Sequence, residues 1–146
     1  MPRLSRVSFD FDNTLTEPEV YNYAQQLKER GFDVWIVTAR LFKDSQAVYD
    51  KAKDLEINKE HVIFTNLQYK YTFLNEIDPI FHLDDDWIEF RMTKIRSKGL
   101  KSIQYGFNPD WQKECEEALI GYKDKQGYAL TPRVQAKLNK KSKYKT

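Results

Sequence analysis

Apolar residues in this chain come in two arrangements, short continuous blocks and longer stretches with helical spacing, and the two alternate. Arg6 to Asp10 reads as a first strand. Thr16 followed three residues later by Glu19 makes a capping box, with Pro18 tolerated in the first turn. Val20, Tyr23, Ala24 and Leu27 then recur at helical spacing, and Gly31 suits a left-handed stop. Phe32 to Thr38, FDVWIVT, is rich in β-branched and aromatic residues, as in a strand covered on both faces. A second helix is predicted from about Asp44 to Glu56, apolar at Val48, Ala52 and Leu55. Val62 to Phe64 reads as a short strand, Tyr71 to Ile77 as a short helix, and Pro79 to Leu83 as a fourth strand. Ile88, Met92 and Ile95 mark the apolar face of a helix closed by Gly99, and Ser102 to Tyr105 a fifth strand. Asn108 and Pro109 stand as N-cap and first residue of a last helix carrying Trp111, Cys115 and Leu119. Strands alternating with helices predict an α/β fold, a five-stranded parallel sheet with helices on both faces.

Composition narrows the class. A chain of 146 residues forms one domain with a sizeable core. No apolar run approaches the roughly 18 residues of a membrane helix, and no signal-peptide core precedes the first strand. The single cysteine, Cys115, excludes an internal disulfide and fits a cytoplasmic setting, with the thiol buried at an apolar helical position. The net charge of +2 is unevenly spread, because residues 128–146 hold Arg133, Lys137, Lys140, Lys141, Lys143 and Lys145 and no acid. Residues 1–127 are therefore acidic and read as the domain; 128–146 is a basic extension, partly helical or disordered, in which Thr131-Pro132 starts a short helix that docks Val134 and Leu138.

The chemistry-bearing residues collect at the predicted strand ends, where ligands sit in sheets of this kind. Strand alternation starts Asp10 and Asp12 on one face, and two like charges are costly to bury together without a cation or proton between them. Thr38 ends the second strand, Asp84 and Asp85 end the fourth, and Lys70 stands where the third helix begins. A hard divalent cation, Mg2+ by preference, held by oxygen atoms of Asp10 and Asp85 solves the charge problem. Asp86 reads as the N-cap of the next helix. Lys51, Lys53 and Lys59 read as surface residues, His61 and His82 as structural, and no His/Cys spacing suggests zinc. Tyr69 and Tyr71, on either side of Lys70, line the site or pack at its rim.

In the order Asp10-Phe11-Asp12-Asn13-Thr14, Thr38 after VWIV, Lys70, and Asp84-Asp85 after IFHL, the chain resembles the haloacid dehalogenase superfamily of phosphotransferases over residues 5–107. Asn13 replaces the commoner glycine of the first motif and tolerates left-handed backbone. The resemblance implies a Rossmann-like three-layer sandwich and a phosphatase. Asp10 is then the nucleophile that forms an aspartyl-phosphate, and Asp12 the acid that protonates the leaving oxygen and later the base toward water. It further implies Mg2+ on Asp10, Asp85 and the Asp12 backbone carbonyl, with Asp84 behind, though which of the paired acids touches the metal stays open. Thr38 and Lys70 hold the phosphoryl oxygens, and Asn13, Thr14, Ala39 and Arg40 lie on the substrate side.

Superfamily members differ by cap domains inserted near the first two motifs. Asp12 to Thr38 is 26 residues and Thr38 to Lys70 is 32, room for one helix and one strand each and for no cap. An open site suits bulky substrates. Arg40, two after Thr38, resembles an arginine of the phosphatase domain of bacteriophage-type polynucleotide kinases and suits a bidentate grip on phosphate. The lysines of the extension suit nucleic acid. The expectation is a capless Mg2+-dependent phosphomonoester hydrolase that favours a nucleotide or a polynucleotide 3′-phosphate. The alternative is a catalytically weak module that binds nucleic acid or protein on the same fold.

Overall fold

The computed structural model describes residues 5–125. Five strands, β1 (Arg6–Phe9), β2 (Asp33–Thr38), β3 (Val62–Phe64), β4 (Phe81–Asp84) and β5 (Lys101–Gln104), alternate with α1 (Pro18–Glu29), α2 (Gln46–Asp54), α3 (Tyr71–Ile77), α4 (Trp87–Arg96) and α5 (Trp111–Lys125). All strand pairs are parallel, in the order β3-β2-β1-β4-β5. The fold is α/β with an all-parallel five-stranded sheet, compatible with a Rossmann-like sandwich. The strand order reverses at β1, so the crevice beyond the ends of β1 and β4 is the topological switch point. No helix among the described residues is long and apolar enough to cross a membrane. The basic extension, with its expected short helix and the docking of Val134 and Leu138, lies outside the described residues.

The two faces of the sheet differ. On one, Val7, Phe9, Val34, Ile36, Phe81, Leu83 and Ile103 join the inward residues of α1, α2 and α5 in a single apolar core. Val20, Tyr23, Ala24, Leu27, Trp111, Cys115 and Leu119 are buried there as their spacing predicts. The other face carries only a small apolar cluster around Val37, Leu74 and Ile77. Its remaining inward positions are polar, with Ser8, His82, Asp84, Glu89, Thr93 and Ser102 all buried.

That polar face overturns one expectation. Ile88 and Ile95 do not face the core; they are 61% and 66% exposed, and α4 turns Glu89 and Thr93 inward instead. The helix lies over Ser102, whose hydroxyl donates to the Phe90 carbonyl at 2.9 Å, and beside the charged strand ends, which accept polar partners rather than aliphatic ones.

The capping box is also not formed. Proline forces the residue before it toward extended backbone, so Glu17 (φ −78°, ψ 132°) becomes the N-cap of α1 without a side-chain cap bond. Thr16 Oγ1 accepts instead from the Asn13 N–H at 3.0 Å. At α2 a short 3-10 turn, Phe42–Asp44, precedes the helix. Residues 108–110 form a turn before α5, in which the Asn108 carbonyl accepts from the Trp111 N–H at 3.2 Å, so the helix starts later than Asn108-Pro109 predicted. Asp86 does cap α4, accepting from the N–H groups of Ile88 and Glu89.

Candidate active site

Three carboxylates, a lysine and the Thr14 hydroxyl meet at the switch point, with Thr38 at the neighbouring end of β2. The Asp10 N–H donates to the Leu83 carbonyl at 2.9 Å, which fixes Asp10 beside the end of β4. The chain then makes one wide helical turn, Phe11–Leu15, with Asp12 extended and Asn13 left-handed at φ 57°. An asparagine pays less than most residues for that conformation. Because β1 ends at Phe9, strand alternation does not extend to Asp12, and the two carboxylates point to different neighbours.

Asp10 turns inward. Its Oδ1 lies 2.6 Å from Lys70 Nζ, and its Oδ2 accepts from the Thr14 hydroxyl at 3.1 Å. The same hydroxyl is 3.2 Å from Asp85 Oδ1, so one proton serves two carboxylates. Lys70, only 2% exposed, also reaches Asp84 Oδ2 at 2.6 Å. An ammonium has three donors, so one N–H of Lys70 remains for a further acceptor.

Asp84 is fully engaged. Besides Lys70 it meets His82 Nε2 at 2.9 Å, and its Oδ1 accepts from the Asp86 N–H at 3.1 Å. His82 Nδ1 in turn lies 2.8 Å from Ser8 Oγ. Complete burial holds His82 below its ordinary value despite the adjacent Asp84. The neutral ring then donates from Nε2 to the carboxylate and accepts from Ser8 at Nδ1. Sequence reading placed His82 as structural and did not link it to the site. The signal was there in period two: Ser8 and His82 stand two residues before Asp10 and Asp84, and the β1–β4 register pairs Ser8 with His82.

Glu89 was missed entirely. It is buried on α4, and both its oxygens lie 3.3 Å from the Lys70 N–H, so it anchors the backbone of the lysine. Burial raises its carboxyl above the usual range. An acid three residues after an aspartate N-cap, the sole carboxylate of α4, was its only mark in the sequence.

The charges are unequal in number and position. Burial first, and then the Asp84 charge, push Asp10 well above the usual carboxylate range against the pull of Lys70. Burial also opposes ionisation of Asp84, but Lys70 and then His82 outweigh it and hold that carboxyl at about 2. Burial works against the Lys70 ammonium too, yet Asp84 and Asp10 together raise it. One ammonium thus faces a surplus of negative charge.

Oxygen atoms of Asp10, Asp84 and Asp85 lie within 4.8 Å of one another. The set offers oxygen alone, with no thiolate, and carries excess negative charge, with Asp10 and Asp84 buried and Asp85 partly so. Those donors fit a hard divalent cation. Asp12 does not belong to the cluster, since its carboxylate points to Arg40, which holds it at 2.9 and 2.8 Å.

Thr38 is buried at the end of β2, and its Oγ1 accepts from the Arg40 N–H at 3.3 Å, which leaves the hydroxyl hydrogen uncommitted. The Ala39 carbonyl accepts from the Leu67 N–H at 2.8 Å and ties the β2 loop to the β3 loop. Tyr69 is half exposed, its ring 6.2 Å from that of Tyr71. No protein-family model matches the chain, and no curated protein matches it either.

Proposed function

We propose that this chain is a Mg2+-dependent phosphomonoester hydrolase of the haloacid dehalogenase type that works through an aspartyl-phosphate. The observation that carries the reading is the convergence of Asp10, Asp84, Asp85 and Lys70 at one switch point, with Thr38 at the end of the adjoining strand and Asp12 two residues beyond Asp10. Residues 16–33 and 39–70 hold one principal helix each, which suits the capless form of that superfamily.

Lys70 and the Thr14 hydroxyl hold the two oxygens of Asp10, so the nucleophile is fixed before substrate arrives. An Asp10 oxygen attacks phosphorus while the bond from phosphorus to the ester oxygen breaks, and Asp12 gives that oxygen its proton. Water then attacks the phosphorus of the aspartyl-phosphate, Asp12 takes the water's proton, phosphate leaves and the Asp10 carboxylate is restored. The remaining N–H of Lys70 and the Thr38 hydroxyl donate to the phosphoryl oxygens. Asp10, Asp85 and the Asp12 carbonyl would hold Mg2+, which when bound offsets phosphoryl charge. Asp84 supports them from behind, because its oxygens are already taken by Lys70, His82 and the Asp86 N–H.

The favoured substrates are nucleotides and 3′-phosphorylated polynucleotides, for which an open site leaves room. The test is hydrolysis of a substrate panel with and without Mg2+: an aryl phosphate, free nucleotides, 3′- and 5′-phosphorylated oligonucleotides, sugar phosphates and phosphopeptides. Turnover that requires Mg2+ and disappears in Asp10→Asn supports the reading. Binding of the panel with no turnover at all leaves a binding module on the same fold.

A further inference from the structure

The chain from residue 87 to 101 differs from the rest of the body. It carries five cations, Arg91, Lys94, Arg96, Lys98 and Lys101, against one acid, Glu89. All five cations are exposed, whereas Glu89 is buried beneath them against Lys70. None of the five joins an ion pair among the described residues. The remainder of residues 1–127 holds 13 cations and 21 acids. A strongly basic strip therefore lies on an acidic body.

The strip is apolar as well as basic. Trp87 is 57% exposed and Ile88 and Ile95 more so. Trp87, Phe90, Arg91, Lys94 and Ile95 line an open groove of about 360 Å³ along α4. Its near end is set by the site, because Trp87 follows the Asp84-Asp85-Asp86 run directly. Phe107 in the β5–α5 loop is fully exposed and held in left-handed backbone at φ 55°, a conformation a bulky side chain rarely adopts. That loop touches the site: a side chain at Gly106 would come within 3.5 Å of the Asp85 carbonyl.

We infer that α4 is the track on which a single-stranded polynucleotide lies while its phosphorylated end reaches Asp10, an inference that rests on the phosphatase reading for the site. Cations without carboxylate partners on an acidic body select a polyanion. The exposed Trp87 ring at the head of the strip selects bases, since a base stacks on an aromatic ring whatever its sequence. From Trp87 to Lys98 the helix and its end span roughly 15 Å at 1.5 Å per residue, room for a few nucleotides. Such a track discriminates against sugar phosphates, which bring neither further phosphates nor a base.

Tryptophan emission tests this without turnover. Trp35 is stacked on His61 and Trp111 is buried, so Trp87 is the accessible indole. An unphosphorylated single-stranded oligo-dT titrated into the full chain at low salt should quench emission, and Trp87→Phe should lose that quench. R91Q/K94Q should weaken binding about tenfold and lower the dependence of log affinity on log salt by about 0.7 for each phosphate that is no longer neutralised. Trp87→Ala should weaken it about tenfold through the absence of stacking. A variant with Lys140, Lys141, Lys143 and Lys145 changed to glutamine should keep the quench. The inference is overturned if R91Q/K94Q binds as wild type does or if the quench vanishes only in the tail variant. It is equally overturned if polyglutamate quenches and displaces the oligonucleotide, which marks an acidic protein as the occupant, or if sedimentation shows α4 buried between two copies. Aryl phosphate turnover of the wild-type protein with Mg2+ reads the phosphatase assignment separately, so binding without turnover leaves the track standing while that assignment falls.

Discussion

Arg40 grips Asp12 through two parallel hydrogen bonds, from Nε at 2.9 Å and Nη2 at 2.8 Å. Its remaining arm donates to the Asp44 carbonyl at 3.0 Å, and its guanidinium lies 5.0 Å from the centroid of the Phe11 ring. The sequence suggested a grip on phosphate; the partner found is the carboxylate proposed to carry the proton. Lysine cannot reproduce a planar fork.

Arg40→Lys should therefore lower kcat by about tenfold or more, within the range general acid catalysis contributes. The loss should be larger on an alkyl phosphate, whose leaving oxygen needs the proton, than on an aryl phosphate. Because the pair is partly exposed, unfolding free energy should change by under about 1 kcal/mol. Steady-state rates on the two esters check this, and an equal loss on both would argue that Arg40 serves the phosphate rather than Asp12.

Asp84 and Asp85 should separate cleanly. If Asp10 and Asp85 hold Mg2+ as proposed, the ion should stabilise the native state by mass action, since the unfolded chain has no assembled site. Asp85→Ala should abolish the Mg2+-dependent rise in Tm with a small change in the metal-free value. Asp84→Ala should lower the metal-free Tm, because it takes one of two carboxylates from buried Lys70, which Asp10 still holds at 2.6 Å, and leaves the buried His82 Nε2 without its partner. An unpaired buried polar group costs about 1–3 kcal/mol. Thermal melts of both variants with and without Mg2+ decide it; the reverse pattern would exchange their roles.

Glu89 should behave as an anchor. Glu89→Gln keeps an acceptor for the Lys70 N–H and should melt near wild type. Glu89→Ala leaves that buried N–H without its partner, a loss of about 1–3 kcal/mol. Equal melting temperatures for the two variants would show that the contact is inconsequential.

Cys115 is wholly buried, and burial pushes its thiol well above the ordinary value, so thiolate is scarce in the native state. An aromatic disulfide reagent at pH 8 should leave it unmodified until denaturant is added. Rapid labelling of native protein would contradict the packing of α5.

Much of this arrangement was legible in the chain, for identifiable reasons. Strand and helix alternation gave the parallel sheet, because continuous apolar blocks such as VWIV need cover on both faces. Val62–Phe64 and Tyr71–Ile77 were placed residue for residue. What stayed hidden depends on contacts between distant segments. His82 looked like a core histidine until β4 was known to pair with β1 in the register that sets it against Ser8. The aliphatics of α4 fit a helical stripe, and periodicity alone does not say that the sheet beneath is polar. Thr16 and Glu19 have the spacing of a capping box, but Pro18 overrode it by extending Glu17. Asp10, Asp84, Asp85, Lys70 and Thr38 were picked out because strand ends are where this topology collects ligands; the first four converge, and Thr38 ends the adjoining strand. Asp12 and Arg40 were picked out too, but their mutual contact was not.

The most direct test is to trap the covalent state. Protein turning over an aryl phosphate with Mg2+ is quenched in acid and reduced with borohydride, which converts an aspartyl-phosphate to homoserine while leaving free carboxylates intact. Peptide mass spectrometry should find homoserine at position 10, in the wild-type protein and in Asp12→Asn, and none in Asp10→Asn. Active protein that yields no homoserine at position 10, or yields it at Asp12, Asp84 or Asp85 instead, would contradict Asp10 as the nucleophile.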